Sequence, residues 1–222
     1  MVIDNIYTGK LIAIEGIDGS GKSTLIKLLQ DKLSVKYDVF ITAEPSQSIY
    51  GKQIREMIKD KNNNDPIIDA YLFAMDRFLH VKNEIIPALK EGKLVITDRY
   101  IDSSIVYQQI MSNTDYTNIK NFIIQINRFI IEPDMVILLN VNEDIAIKRI
   151  ISSRNINEIT KYEYKQHLKI LNLLFCDQIQ KRKNYRMINN NDNDIESVLN
   201  YVLNDINNVI IEQEWLITKN KK

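Results

Sequence analysis

One cysteine, Cys176, is all the thiol chemistry in this 222-residue chain, so it has no internal disulfide and no thiolate cluster to hold a metal. Glycine and proline are scarce, at 6 and 4, which excludes a collagen-like or linker-like chain. Neither charge is in excess. Lys and Arg total 29 against 29 Asp and Glu, so no broad electrostatic grip on DNA, RNA or an anionic membrane is expected, and any positive field is local. No run approaches the ~20 apolar residues that span a bilayer. Met1 to Lys10 carries Asp4 and polar residues where a secretory signal would have a basic start and an apolar stretch. A reducing, cytoplasmic setting is the expectation, with neither membrane nor nucleic acid as partner.

What the chain does have is an ordinary folded-domain composition, 45% hydrophobic and 26% charged, at a length that suits one domain. That domain is expected over residues 1–214, with 215–222 a flexible C-terminal tail. Short apolar runs alternate with longer stretches of helical periodicity, the pattern of a parallel sheet wrapped by helices. Strands are expected at Leu11 to Glu15, Asp38 to Thr42, Lys93 to Thr97, Asp134 to Leu139 and Tyr185 to Ile188. Helices are expected at Ser23 to Leu33, Ser48 to Lys59, Asp65 to Lys90, Ile119 to Ile131, Asn142 to Arg154, Glu158 to Lys183 and Ile195 to Glu214. Gly92 and Pro133 punctuate the chain ahead of the third and fourth strands.

Between the first strand and first helix lies Gly16-Ile17-Asp18-Gly19-Ser20-Gly21-Lys22-Ser23, which is Gly, four residues, then Gly-Lys-Ser, followed by Thr24. In that context the glycines let the backbone curl until its N–H groups converge on nucleotide phosphates, and the helix adds the positive end of its dipole. Lys22 would meet the β and γ phosphates, and the Ser23 hydroxyl would ligate magnesium. Asp98, closing the third strand, sits where a carboxylate organises that metal, and Arg99 follows it. The bland alternative makes Asp98 a turn cap and Arg99 a surface ion pair. A nucleoside triphosphate with Mg2+ is the expected cofactor set.

Phe73 and Arg77 are four apart, on one helix face. A ring there could stack on a nucleobase with a guanidinium one turn away at its edge, or Phe73 could be core and Arg77 paired with Glu84 or Asp76. Four segments then resemble the thymidylate kinase family, enzymes that move the γ phosphate of ATP onto thymidine monophosphate. They are the Gly16–Ser23 loop; Thr42-Ala-Glu-Pro45; Leu72-Phe-Ala-Met-Asp-Arg77 with His80; and Asp98-Arg-Tyr-Ile-Asp-Ser-Ser104 leading to Tyr107-Gln108.

The resemblance implies ATP as the triphosphate, and a P-loop three-layer fold, α/β, with a five-stranded parallel sheet in the order 2-3-1-4-5 and a helical lid at about 148–162. It implies that Phe73 stacks on thymine and Arg77 bonds its carbonyl, that Arg99 holds the acceptor phosphate, and that Asp18 lies between donor and acceptor. Tyr107 would crowd the 2′ side of the sugar, with Ser103, Gln108, Glu44 and Pro45 completing the acceptor pocket. The arginine that assists at the acceptor phosphate is missing from Glu44-Pro45-Ser46-Gln47, leaving Arg55 as a substitute. The loop interior also carries no arginine, so the transfer is expected to draw on Arg149 and Arg154, with Lys148 and Lys161 nearby. A homodimer is implied as well, through the apolar faces of Asp65–Lys90 and Ile119–Ile131. Two other readings stay open: a deoxynucleoside kinase with Glu44 as base, and a noncatalytic ATP-binding protein.

Overall fold

The computed structural model describes residues 3–59, 65–110, 116–153, 165–192 and 194–219, without the side chains of 116, 117, 165 and 212–219. Five parallel strands form one sheet: β1 (Lys10–Glu15), β2 (Val39–Ala43), β3 (Leu94–Asp98), β4 (Met135–Asn140) and β5 (Tyr185–Asn189). Their spatial order is β2-β3-β1-β4-β5, as expected, with Ile12 facing Ile96 on one side and Met135 on the other.

Strand side chains alternate between faces, so each central strand feeds two cores. Leu11, Ala13, Val95, Val136 and Leu138 belong to one. Ile12, Ile14, Ile96, Ile137 and Leu139 belong to the other. The second core is covered by α1 (Lys22–Leu33) and α9 (Ile195–Lys219), through Leu25, Leu29, Val202 and Ile206. The first is covered by α3 (Pro66–His80), α4 (Ile86–Lys90), α5 (Ile101–Ile110), α6 (Tyr116–Ile126), α7 (Glu143–Ser153) and α8 (Lys165–Gln180). A short α2 (Ile49–Lys59) follows β2.

The elements depart from the sequence-based expectation in four places. Asp65–Lys90 is broken by a wider π turn, Val81–Ile85, between α3 and α4; its start is fixed by Asp65, whose carboxylate accepts from the N–H groups of Ile67 and Ile68. The helix expected to reach Ile131 stops at Ile126, because Asn127 turns its amide back onto the Ile123 carbonyl at 2.8 Å. α5 was not anticipated. Ile101 through Gln109 are all buried, and a helix enclosed on every side has no polar face to betray its period. Finally, α9 continues to Lys219, beyond the expected end at Glu214, so the chain is still helical where a flexible tail was expected from residue 215.

Candidate active site

Parallel strands all end at the same edge of a sheet, and it is there that ligands find a crevice in such folds. β1 delivers Glu15 and the glycine loop to this edge, β2 Glu44, β3 Asp98 and Arg99, β4 Asn140, and β5 Asn189 and Asn190.

The loop takes the backbone that its glycines permit. Gly16, Gly19 and Gly21 have φ of 147°, 76° and 97°, and a Cβ on Gly19 would lie 2.4 Å from the Ala146 carbonyl oxygen. Lys22 folds back over the loop and donates from Nζ to the carbonyls of Gly16 and Ile17, both at 2.9 Å. Burial and the nearby Arg99 charge pull its ammonium down to about 8, against the attraction of Asp98, Asp18 and Glu15. A phosphate arriving here would satisfy that ammonium better than two carbonyls do.

Arg99 stands across the loop with only 17% of its side chain exposed. Its Nη1 donates to the Gly16 carbonyl and to Ser103 Oγ, both at 3.0 Å, and its Nη2 to Asp18 Oδ1 at 2.7 Å. The guanidinium lies 5.0 Å from the centre of the Tyr107 ring, and the Tyr107 hydroxyl donates to Asp18 Oδ2 at 3.1 Å. Burial opposes this charge, but the carboxylates of Asp18, Asp98 and Glu15 favour it and hold the guanidinium above the ordinary arginine range. Burial, the largest influence, and the Asp18 carboxylate push the Tyr107 hydroxyl well up, although Arg99 opposes them, so Tyr107 stays a neutral donor.

Ser23 Oγ approaches Asp98 Oδ2 at 3.3 Å, and the other oxygen, Asp98 Oδ1, is buried with no hydrogen-bond partner among the described residues. One hydroxyl and one carboxylate with a spare oxygen fit a magnesium ion, which takes few protein ligands and keeps its other positions for water and phosphate. No group of three or more His, Cys, Asp or Glu that could form an all-protein metal cage occurs among the described residues.

On the α3 side, Phe73 is half-buried, not sealed in the core. Arg77 is held by a dense set of protein partners. It is 1% exposed, and four of its five N–H groups are spent within the protein: Nε on Glu44 Oε2 at 2.6 Å, Nη1 on Asn127 Oδ1 at 2.9 Å, and Nη2 on the Tyr100 carbonyl and Ser104 Oγ. Neither Glu84 nor Asp76 is its partner. Asp76 instead accepts from Ser46 N, Ser46 Oγ and Ser48 Oγ, pinning the segment after Pro45. His80 packs against Glu44 Oε1 at 3.3 Å and Thr42 Oγ1 at 2.6 Å. Ser103 serves Arg99 and donates to Glu15 Oε2 at 2.6 Å, while Ser104 is the serine beside Arg77. Gln108 is 1% exposed, with both ends of its amide unpartnered among the described residues. Arg55 reaches the Pro45 carbonyl at 2.7 Å, on the wall where the acceptor-side arginine is missing. Arg149 donates to the carbonyls of Gly19 at 3.2 Å and Asn190 at 2.9 Å, gripping the loop backbone. Arg154, Lys161 and most of the expected lid lie outside the described residues.

Two residues essential to this arrangement were not anticipated. Glu15 is fully buried and accepts from Tyr100 N, Ser103 N and Ser103 Oγ, fixing the start of α5 behind Arg99. Burial, then the Asp102 charge, raises its carboxyl to about 7, partly offset by Ser103, Arg99 and Tyr100. The available signal was an acidic residue closing the apolar run Leu11–Ile14. Asn190, buried under the loop, gave no signal beyond a run of asparagines.

Comparison with known proteins gives the chain its relatives. The profile of the thymidylate kinase family matches residues 14–202. A thymidylate kinase of Mycoplasmoides gallisepticum is 34% identical over 203 residues, covering 89% of this chain and 94% of that protein. A probable thymidylate kinase of Pyrobaculum aerophilum is 44% identical over 158 residues, 71% of this chain and 77% of that one. Among solved structures, thymidylate kinase from Candida albicans superposes with a TM-score of 0.75 over 91% of this chain and 93% of that one, at 24% identity, a likeness of fold. A match that spans the loop, the α3 helix and the Asp98 segment fixes the chain's kinship: it belongs to the thymidylate kinase family.

Proposed function

We propose that this chain transfers the γ phosphate of ATP to dTMP, yielding dTDP, with Mg2+ at Ser23 and Asp98. The observation that carries the reading is Arg99: a shielded guanidinium stands 3.0 Å from the Gly16 carbonyl and 2.7 Å from Asp18, at the mouth of the phosphate loop. An acceptor phosphate drawn to it arrives next to the donor. Two anionic groups ~4 Å apart repel by about 4 kcal/mol at an effective dielectric near 20, so cations must converge. Lys22 exchanges its loop carbonyls for phosphate oxygens, and Arg99 takes the acceptor. Magnesium, when bound, draws charge from the phosphates in flight. Arg55, on the Pro45 side, assists at the acceptor phosphate, and Arg154 from the lid meets the transferring group while Arg149 steadies the loop. A monophosphate is already an anionic nucleophile and needs no base.

In the acceptor pocket, Phe73 stacks on the thymine ring and the unpartnered amide of Gln108 meets its edge. Arg77 shapes that pocket from behind, with Ser104 between it and the base. Tyr107, held on Asp18, bounds the sugar. The deoxynucleoside kinase alternative loses ground at Glu44, whose two oxygens face Arg77 and His80 and so make a poor base for a 5′-hydroxyl.

The domain acts in the cytoplasm as a homodimer. Ile68, Tyr71, Met75 and Phe78 recur at helical spacing on α3 and are exposed, a stripe that a second copy would cover. No helix among the described residues is long and apolar enough to cross a membrane.

Incubation with ATP, magnesium and a panel of nucleosides and monophosphates tests the reading. The expected product is dTDP. Thymidine consumed in preference to dTMP would move the chain to the nucleoside kinases, and absence of acceptor-dependent turnover would make it a binding protein.

A further inference from the structure

A phosphate cradle has two sides. Peptide N–H groups must converge inward, and because a trans peptide points its C=O opposite to its N–H, the carbonyls of the same units must be satisfied elsewhere. In this loop the Gly16 and Ile17 carbonyls are held by Lys22, with Arg99 also on Gly16. The Gly21 carbonyl accepts from Leu25 N at 3.0 Å as the first turn of α1. Gly19 is held by Arg149. The Ser20 carbonyl has a different kind of partner: the side-chain amide of Asn190, at 2.8 Å, from 170 positions along the chain.

Asn190 is itself firmly placed. It is 4% exposed, its N–H donates to the Asn140 carbonyl at 2.8 Å, and its own carbonyl accepts from Arg149 at 2.9 Å. It thus ties the ends of β4 and β5 and the α7 helix to the loop. The contact is also sterically close, since a Cβ on Gly21 would lie 2.7 Å from Asn190 Nδ2. Gly21 adopts φ 97°, and a glycine has little conformational preference of its own, so its peptide needs an outside restraint.

We infer that Asn190 is a positioning residue for the donor phosphates: by clamping the Ser20 carbonyl it aims the Gly21 N–H, on the opposite side of the same peptide plane, into the cradle. This rests on reading the Gly16–Ser23 loop as the triphosphate site, and concerns the donor side alone. Nothing in it requires a particular acceptor. The Asn190 amide touches no phosphate; it acts through the Ser20–Gly21 peptide.

The decisive comparison is Asn190→Ala against the isosteric Asn190→Asp. Binding of ATP, and separately of inorganic tripolyphosphate, is measured by calorimetry from about pH 4 to 8.5, a range that reaches the ordinary titration of an aspartate, alongside the KM values for ATP and dTMP. Asn190→Ala removes the donor, and is expected to weaken ATP and tripolyphosphate about tenfold, the scale of one lost buried hydrogen bond, with the dTMP KM within twofold. Asn190→Asp at pH 8 sets a carboxylate against the Ser20 carbonyl and is expected to bind worse than the alanine variant. As the pH falls, its protonated carboxyl donates to Ser20 and binding recovers toward that of the unaltered protein. A merely structural role gives no such recovery. Unchanged ATP and tripolyphosphate affinities in both variants, an equal loss for dTMP, or a pH profile for Asn190→Asp parallel to that of Asn190→Ala would each overturn the inference. Failure of the unaltered protein to make dTDP would count against the proposed reaction but not against Asn190, whose effect is read from triphosphate binding.

Discussion

The Asp18 carboxylate and the Arg99 guanidinium meet at 2.7 Å across the mouth of the phosphate loop, and Tyr107 ties the other oxygen of Asp18 into the same contact. The pair joins the donor loop to the end of β3. A charged acceptor entering here would have to share Arg99 with Asp18, so on the proposed reading the ion pair would set where the acceptor phosphate could stop.

Arg99→Lys keeps the positive charge and loses the fork. A single ammonium cannot serve the Gly16 carbonyl, Ser103 and Asp18 together, as the guanidinium does. Turnover on dTMP is expected to fall about 10²-fold or more, the scale for a misplaced charge-stabilising donor, while the melting temperature changes little. Steady-state kinetics beside a thermal melt would check it, and near-normal turnover would remove Arg99 from the chemistry.

For Arg77 the expected loss is first one of stability. Arg77→Ala would strand the buried Glu44 carboxylate and the Asn127 oxygen that it now satisfies, at a cost of about 3–5 kcal/mol. Urea unfolding measures this directly. If the variant is as stable as the parent, the arginine is not a pin and its base-reading role returns.

Gly19→Ala and Gly92→Ala pose a contrast. Both positions have positive φ, at 76° and 80°, so both substitutions strain the backbone by about 1 kcal/mol. Only at Gly19 would the new Cβ also strike backbone, 2.4 Å from the Ala146 oxygen; at Gly92 the nearest atom is Thr8 Oγ1 at 3.6 Å. ATP affinity is expected to collapse in the first variant and hold in the second, as nucleotide titration would reveal.

Glu15 gives stability a pH dependence whose sign follows from its raised carboxyl. Between its ordinary value of 4.5 and about 7, the folded protein keeps a proton that the unfolded chain has released. Raising the pH through that window therefore removes stability, and outside it the contribution is flat. The difference in unfolding free energy between the parent and Glu15→Gln, followed by denaturant titration from pH 4.5 to 8, is expected to shift in the variant's favour as pH rises. A difference that stays level across the window would contradict the raised carboxyl.

Replacing Met75 and Phe78 together by lysine is expected to leave a folded monomer, since both are exposed on α3. Solution scattering of the parent should return twice the mass of the variant. Equal masses would dispose of the α3 interface.

The sheet was legible because its cue is local: each strand is a short apolar run with loop signals at its ends, and all five fall within a residue or so of their expected bounds. The loop was legible for the same reason, its chemistry being written in consecutive residues. α5 was not, since enclosure on all sides removes the amphipathic period that marks a helix. The roles of Arg77 and the two serines could not be read either. Whether an arginine faces a ligand or a buried carboxylate depends on what lies opposite it, and Glu44 and Asn127 are 33 and 50 residues away in sequence. Ser103 and Ser104 are neighbours on a helix, so a shift of one position sends one hydroxyl to Glu15 and the other to Arg77.

Arg99 carries its guanidinium on a backbone at φ 70°, a conformation that glycine takes freely and that costs other residues about 1 kcal/mol. Glycine at this position would relax the chain and abolish the cation in one stroke. On the proposed reading, the molecule tolerates local tension at a residue that receives a second anion, a trade of resilience for reactivity that would set an upper limit on how far this edge of the sheet can be stabilised without silencing it.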